Sequence, residues 1–159
     1  MKHLLRLTTL LAIVLATVSC NKTPETTEPS LDVTANNISG IWKVSEWSGK
    51  ALDEGTYVYI EFTRRDQLFT MYDNLTSFSA HKSTGRYNIY IDEEFGAIIR
   101  GEYDFARGDD KSWAHRYIIQ DLKKDKMIWI AKDDLDDITV YERCDAIPAE
   151  ILAEISDNE

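Results

Sequence analysis

The chain is predicted to be all-β, an antiparallel up-and-down barrel of eight strands followed by a short C-terminal helix. Three observations predict it. From Ile38 to Cys144 the residues alternate with period two, and no stretch of ten or more at helical period interrupts them. The runs are joined by short segments of turn chemistry, among them Ser48-Gly49-Lys50, Ser83-Thr84-Gly85 and Arg107-Gly108-Asp109-Asp110, and short connections between successive strands make an antiparallel meander. In several runs one face is mostly aliphatic and the other polar with aromatic insertions, as in Tyr57 to Phe62, which suits a sheet curled around its own core.

The 159 residues are a one-domain length, with a net charge of −10. Lys2 and Arg6 are the only charges in residues 1–19, so loss of that segment takes the balance to −12. Such a surface repels phosphate backbones, and no nucleic-acid partner is expected. Eight Tyr, five Phe and four Trp suffice to fill a small core.

Residues 1–19 read as a signal segment. Lys2, His3 and Arg6 form a basic start, and the ten residues Thr9 to Val18 form a mostly apolar run. A helix needs about 20 residues to cross a bilayer, so this run has the proportions of a signal-peptide h-region. It ends in Val18-Ser19-Cys20, which resembles a bacterial lipobox, although Thr17 stands where that pattern usually has Leu. The alternative is an ordinary signal peptide with a coincidental Cys20. The lipobox resemblance implies cleavage before Cys20, lipidation of its thiol and attachment to the outer membrane, on a face that the residues leave open. Each buried CH₂ is worth about 0.8 kcal/mol, so several acyl chains on Cys20 anchor the protein stably. With Cys20 so assigned, Cys144 has no partner for an intramolecular disulfide and reads as a small buried residue.

Residues 20–37 are expected to be the lipidated cysteine and a flexible tether, rich in Thr, Pro and Glu, with Leu31, Val33 and Ala35 its only non-proline apolar residues. Residues 38–159 are expected to be the barrel and its helix. Nine strand-like runs follow: Gly40–Trp47, Thr56–Thr63, Gln67–Tyr72, Phe78–His81, Gly85–Asp92, Ala97–Phe105, Trp113–Leu122, Met127–Lys132 and Asp137–Cys144. Phe78–His81 is the weakest, and without it the count is eight. The expected apolar interior comprises Val58, Ile60, Phe62, Phe69, Met71, Ile89, Ile91 and Ile99, with Ile128, Ile130, Ile138 and Val140 from the last two strands. Pro148 to Ile155 reads as a short amphipathic helix, with Pro148 at its first position and Ile151, Leu152 and Ile155 spaced to pack on the barrel wall.

Gly40-Ile41-Trp42 at the head of the first strand resembles the Gly-x-Trp signature of lipocalins and related calycin barrels. The stretch from about Ile38 to Ile147 is similar to the lipocalin-like domains carried as lipoproteins in Bacteroidetes. The resemblance implies that Trp42 closes one end of an eight-stranded barrel and that Arg143, from the last strand, packs over its ring, an attraction of guanidinium for an indole face. With only about 105 residues of barrel, short loops and a small or side-chain-filled cavity are expected.

No catalytic signature is present. His-x-x-x-His, Cys-x-x-Cys and nucleophile-elbow patterns are absent, so neither an enzyme nor a metal centre nor a cofactor is expected. Asp133-Asp134-Leu135-Asp136-Asp137 lacks the alternating ligands and Gly of an EF-hand loop and reads as a solvated hairpin turn. The aromatic set is the functional lead. Phe62, Met71, Tyr87, Tyr103, Trp113 and Tyr117 are the candidate ligand-binding residues, the last four offering polar handles near one end. The expected function is a lipid-anchored envelope lipoprotein whose barrel binds a small apolar or amphiphilic ligand. The alternative is a non-enzymatic module with a filled barrel, docking to another envelope protein or a glycan-uptake complex.

Overall fold

A computed structural model of the chain describes residues 28–77, 79–105 and 110–158. The signal segment, Cys20, the first part of the tether and Phe78 lie outside the described residues. The strands are β1 (Gly40–Trp47), β2 (Lys50–Ala51), β3 (Val58–Thr63), β4 (Leu68–Asp73), β5 (His81–Asp92), β6 (Gly96–Tyr103), β7 (Tyr117–Gln120), β8 (Lys126–Ala131) and β9 (Asp134–Cys144). Every neighbour in the series from β3 to β9 pairs antiparallel, β1 pairs with β3, and β9 pairs back onto β1. The result is a closed antiparallel barrel of eight strands. The two-residue β2 lies outside that ring as the return of a hairpin from β1, through Ser48 and Gly49 at φ 49° and 75°. Two successive residues at positive φ make the turn whose twist matches that of the flanking strands.

Several expected turns and runs differ, and of the expected turn Asp133–Asp137 only Asp133 lies in the turn, Asp134 opening β9. Ser83-Thr84-Gly85 is no turn but the middle of β5, paired with β4 from Leu68 to Asp73. Gly85 is there because a Cβ would meet the Phe69 ring at 2.7 Å and collide with the Glu102 carbonyl, so the glycine serves a close approach and not a bend. His81 opens this same strand, so Phe78–His81 is not a strand of its own. The run Trp113–Leu122 is regular only over Tyr117–Gln120. Ser112 bridges Glu102 and Ile118 pairs with Ile98, so six residue steps face four and residues 114–116 bulge out.

The interior differs on one side. Ile60, Phe62, Phe69 and Ile99 are buried inside as expected, whereas Ile91, at the end of β5, is 75% exposed. In the last two strands the parity is the reverse of the expected one: Met127, Trp129 and Tyr141 enter the core, and Ile128, Ile130, Ile138 and Val140 do not. Met127-Ile128-Trp129-Ile130-Ala131 is apolar at every position, so alternation does not say which face turns inward.

The closed end is built from Ile38, Trp42, Leu122 and Met127, none more than 1% exposed. The described part of the segment read as tether lies against this end. Leu31 N–H donates to the Leu122 carbonyl at 2.7 Å, and residues Ala35–Ile38 form one short helical turn, α1, capped by the Thr34 hydroxyl. At the chain's end, α2 (Ala149–Asn158) sets Ile151 and Ile155 against Tyr59, Tyr72 and Ala80 on the outer wall of the barrel, and Ala80 N–H donates to Glu154 Oε1 at 2.9 Å. Leu152, expected to pack, is 42% exposed. Among the described residues no helix is long and apolar enough to cross a membrane.

Candidate functional site

Hydrogen-bond register places the ends of the barrel. β1 runs from Gly40 at the closed end to Trp47 at the other, and Val58, Asp73, Tyr103 and Thr139 stand at that second end with it. A cavity of about 220 Å³ opens here. Its wall takes Val44 and Trp47 from β1, Val58 from β3, Met71 and Asp73 from β4, Tyr103 from β6, Tyr117 from β7, Trp129 from β8, and Thr139 and Tyr141 from β9, with Trp113 from the bulged segment.

Local devices aim these side chains. A bulge in β1 between Val44 and Glu46 adds one residue, so that Trp47 pairs with Thr139 and turns to the cavity side. Gly101 leaves a notch on β6 that the Trp113 indole fills, since a Cβ there would meet Trp113 Cζ2 at 2.5 Å. Trp113 N–H in turn donates to the Gly101 carbonyl at 2.9 Å. The rings then form one continuous wall. Trp129 lies 5.5 Å from Trp113, 5.0 Å from Tyr117 and 4.8 Å from Tyr141, while Phe69 lies 5.0 Å from Trp113 and 5.5 Å from Tyr103. Each such pair adds about 0.5–1.5 kcal/mol beyond its area burial.

Of the six residues expected to touch a ligand, Met71, Tyr103, Trp113 and Tyr117 line the cavity. Phe62 and Tyr87 do not. They pack edge to face at 5.0 Å below it, and the Tyr87 hydroxyl donates to the Thr63 carbonyl at 3.2 Å. Trp129 and Tyr141 are cavity residues outside those six. A signal for Tyr141 was present: if Arg143 shares a face with Trp42, then Tyr141, two residues away in the same strand, shares it too, and Ile138 and Val140 cannot.

The electrostatics are one-sided. Among the described residues of the lining, Asp73 is the only ionisable side chain apart from tyrosines, and none is Lys, Arg or His. Burial pushes the Tyr117 hydroxyl up to about 12, with Asp137 adding to the rise, and drives Tyr141 up further in the same direction. Tyr103 is raised by burial and then by Asp73. At neutral pH these hydroxyls are therefore uncharged. At the rim, Trp47 Nε1 donates to Asp137 Oδ1 at 2.6 Å. By contrast the indole N–H groups of Trp113 and Trp129, 7% and 2% exposed as residues, are buried with no hydrogen-bond partner. An unmade hydrogen bond of this kind costs about 1–3 kcal/mol.

At the closed end Arg143 is the Cα partner of Trp42, with its guanidinium carbon 4.0 Å from the indole centroid. It donates to the carbonyls of Lys124, Ser39 and Asn37 at 2.6, 2.6 and 2.8 Å. Trp42 Nε1 donates to the Ile38 carbonyl at 2.8 Å. Outside the barrel His115 Nδ1 lies 2.8 Å from Asp133 Oδ1, and this contact holds the exposed Asp133 carboxyl below its usual range. Cys144 is half-buried, and burial raises its thiol. Among the described residues no group of three or more His, Cys, Asp or Glu is placed to hold a metal ion.

No family model matches the chain, and no curated protein matches it.

Proposed function

We propose that the protein is a non-enzymatic, lipid-anchored binding module of the bacterial outer envelope, akin to lipocalin-like lipoproteins, that holds one small apolar or amphiphilic molecule in the barrel mouth. The observation that carries this reading is the cavity of about 220 Å³, walled by aromatic rings. A solvent-facing rim would need no such wall of rings, whereas a small apolar ligand would bury against it. An engineered cavity of about 150 Å³ already admits benzene, so the space suits a molecule smaller than most drugs. The anchor rests on Val18-Ser19-Cys20.

The test is native mass spectrometry of the protein released from membranes. A dissociable mass excess is expected, and it should be absent from Val44→Trp, which fills the cavity. Bare protein from several growth conditions, with no response of the tryptophan fluorescence to small apolar probes, would sink the ligand reading.

A second reading has its own observation. Trp47, Leu75, Phe105 and Leu135 are 42%, 40%, 91% and 56% exposed, and all four stand at the open end. An apolar rim of this kind favours docking to another envelope protein over, or instead of, a small ligand. Charge substitutions at Phe105 and Leu135 would then abolish co-purification of the partner and leave ligand binding intact.

A further inference from the structure

The chemistry of the mouth goes further than an apolar preference. This step rests on the reading of the mouth as a ligand site. Six aromatic side chains line it, Trp47, Tyr103, Trp113, Tyr117, Trp129 and Tyr141, from β1, β6, β7, β8, β9 and the bulged segment. Aromatic faces are electron-rich and attract cations, most strongly where water is excluded. The one carboxylate in the lining is Asp73, and Asp137 stands at the rim beside Trp47. The nearest histidine by pairing, His81, is the Cα partner of Asp73 but lines an adjoining groove. A carboxylate ligand would meet no cation among the described lining residues, and an unpaired buried charge is costly. We propose that the mouth selects a small organic cation, a quaternary or alkylated ammonium group, over neutral and anionic molecules of the same size. The aromatic wall takes the ammonium group, and Asp73 balances its charge.

The experiment titrates the full chain with three molecules of nearly one shape: choline, its neutral carbon counterpart 3,3-dimethyl-1-butanol, and the anion 3,3-dimethylbutanoate. The readout is the side-chain indole N–H resonances of Trp113 and Trp129, which report weak binding as well as strong. Choline should bind about tenfold or more tighter than the alcohol, and the anion more weakly than the alcohol. Asp73→Asn keeps an oxygen for the Leu75 N–H at 3.3 Å, and should cut the choline-to-alcohol preference about threefold or more while alcohol binding holds. Tyr117→Leu should cut the same preference, and serves if Asp73→Asn folds poorly. Equal binding of choline and the alcohol, or tighter binding of the anion, overturns the cation proposal while leaving a ligand site in place. No response to any of the three, nor to benzene as an uncharged apolar probe, overturns the ligand site itself.

Discussion

Arg143 sits where several needs of the closed end meet. Its guanidinium covers the Trp42 ring and holds the carbonyls of Asn37, Ser39 and Lys124. Gly40 makes room for it: at φ 120°, a Cβ there would lie 2.5 Å from Arg143 Nη1. Gly-x-Trp is thus a steric statement as much as a pattern, glycine for the guanidinium and tryptophan for the floor. Trp42→Ala removes a fully buried ring and should cost about 3–5 kcal/mol in chemical denaturation. Arg143→Ala should cost less, and the double variant should fall short of the sum of the two, since residues in contact couple. Strict additivity would mean that the pair carries no energy of its own. The mouth tyrosines bear on alkaline stability. The Tyr117 hydroxyl is raised from its ordinary 10 to about 12 and that of Tyr141 beyond it, so each folded-state value lies above the unfolded one. Their contribution is fully present below pH 10 and is lost as pH rises through the folded-state values. Unfolding followed by phenolate absorbance should therefore set in above about pH 10, and Tyr117→Phe should move its midpoint upward. An unmoved midpoint would mean that Tyr117 titrates freely in the folded protein.

Individual elements depart from regularity where the mouth needs them to. The β1 bulge turns Trp47 inward, and the bulge at residues 114–116 carries Trp113 to its notch over Gly101. Gly101→Ala would drive a methyl into the indole and should disturb the near-ultraviolet circular dichroism of the mouth, with a loss of about 1–3 kcal/mol. On the outer wall α2 is held by one face only. Ile151→Ala, at a position 5% exposed, should cost roughly 2–4 kcal/mol, whereas Leu152→Ala, 42% exposed, should cost little. Equal losses from the two would place the helix in a different rotation.

For the molecule as a whole, the barrel removes its own edges, because β9 returns to β1. Its two ends differ in kind. One is plugged by side chains and by residues 30–38, while the other is open and acidic at its rim. Under the proposed anchor at Cys20, the packing of residues 30–38 against the barrel would hold it nearer the lipid surface than a tether running to residue 37 would. Cys20→Ala should release the protein from the outer-membrane fraction, and retention at the wild-type level would refute the anchor.

The residues alone carried the class of the fold and most of its strands, because a half-buried strand must alternate and a hairpin must have turn chemistry. They marked Trp42 and Arg143 as a pair to look for only through the family resemblance of the Gly40-Ile41-Trp42 start, because strand parity alone does not fix which way Arg143 points. What they left open was orientation. In Met127 to Ala131 every position is apolar, and only closure against β7 and β9 turns Trp129 inward and Ile128 and Ile130 outward. Gly85 has the same composition as a turn glycine, and only the Phe69 ring across the sheet makes it a strand residue. The mouth followed the same rule. Met71, Tyr103, Trp113 and Tyr117 were legible as candidates, but Trp47, Trp129 and Tyr141 joined them through a one-residue bulge and a strand parity, both settled by hydrogen bonds between segments about 90 residues apart in the chain.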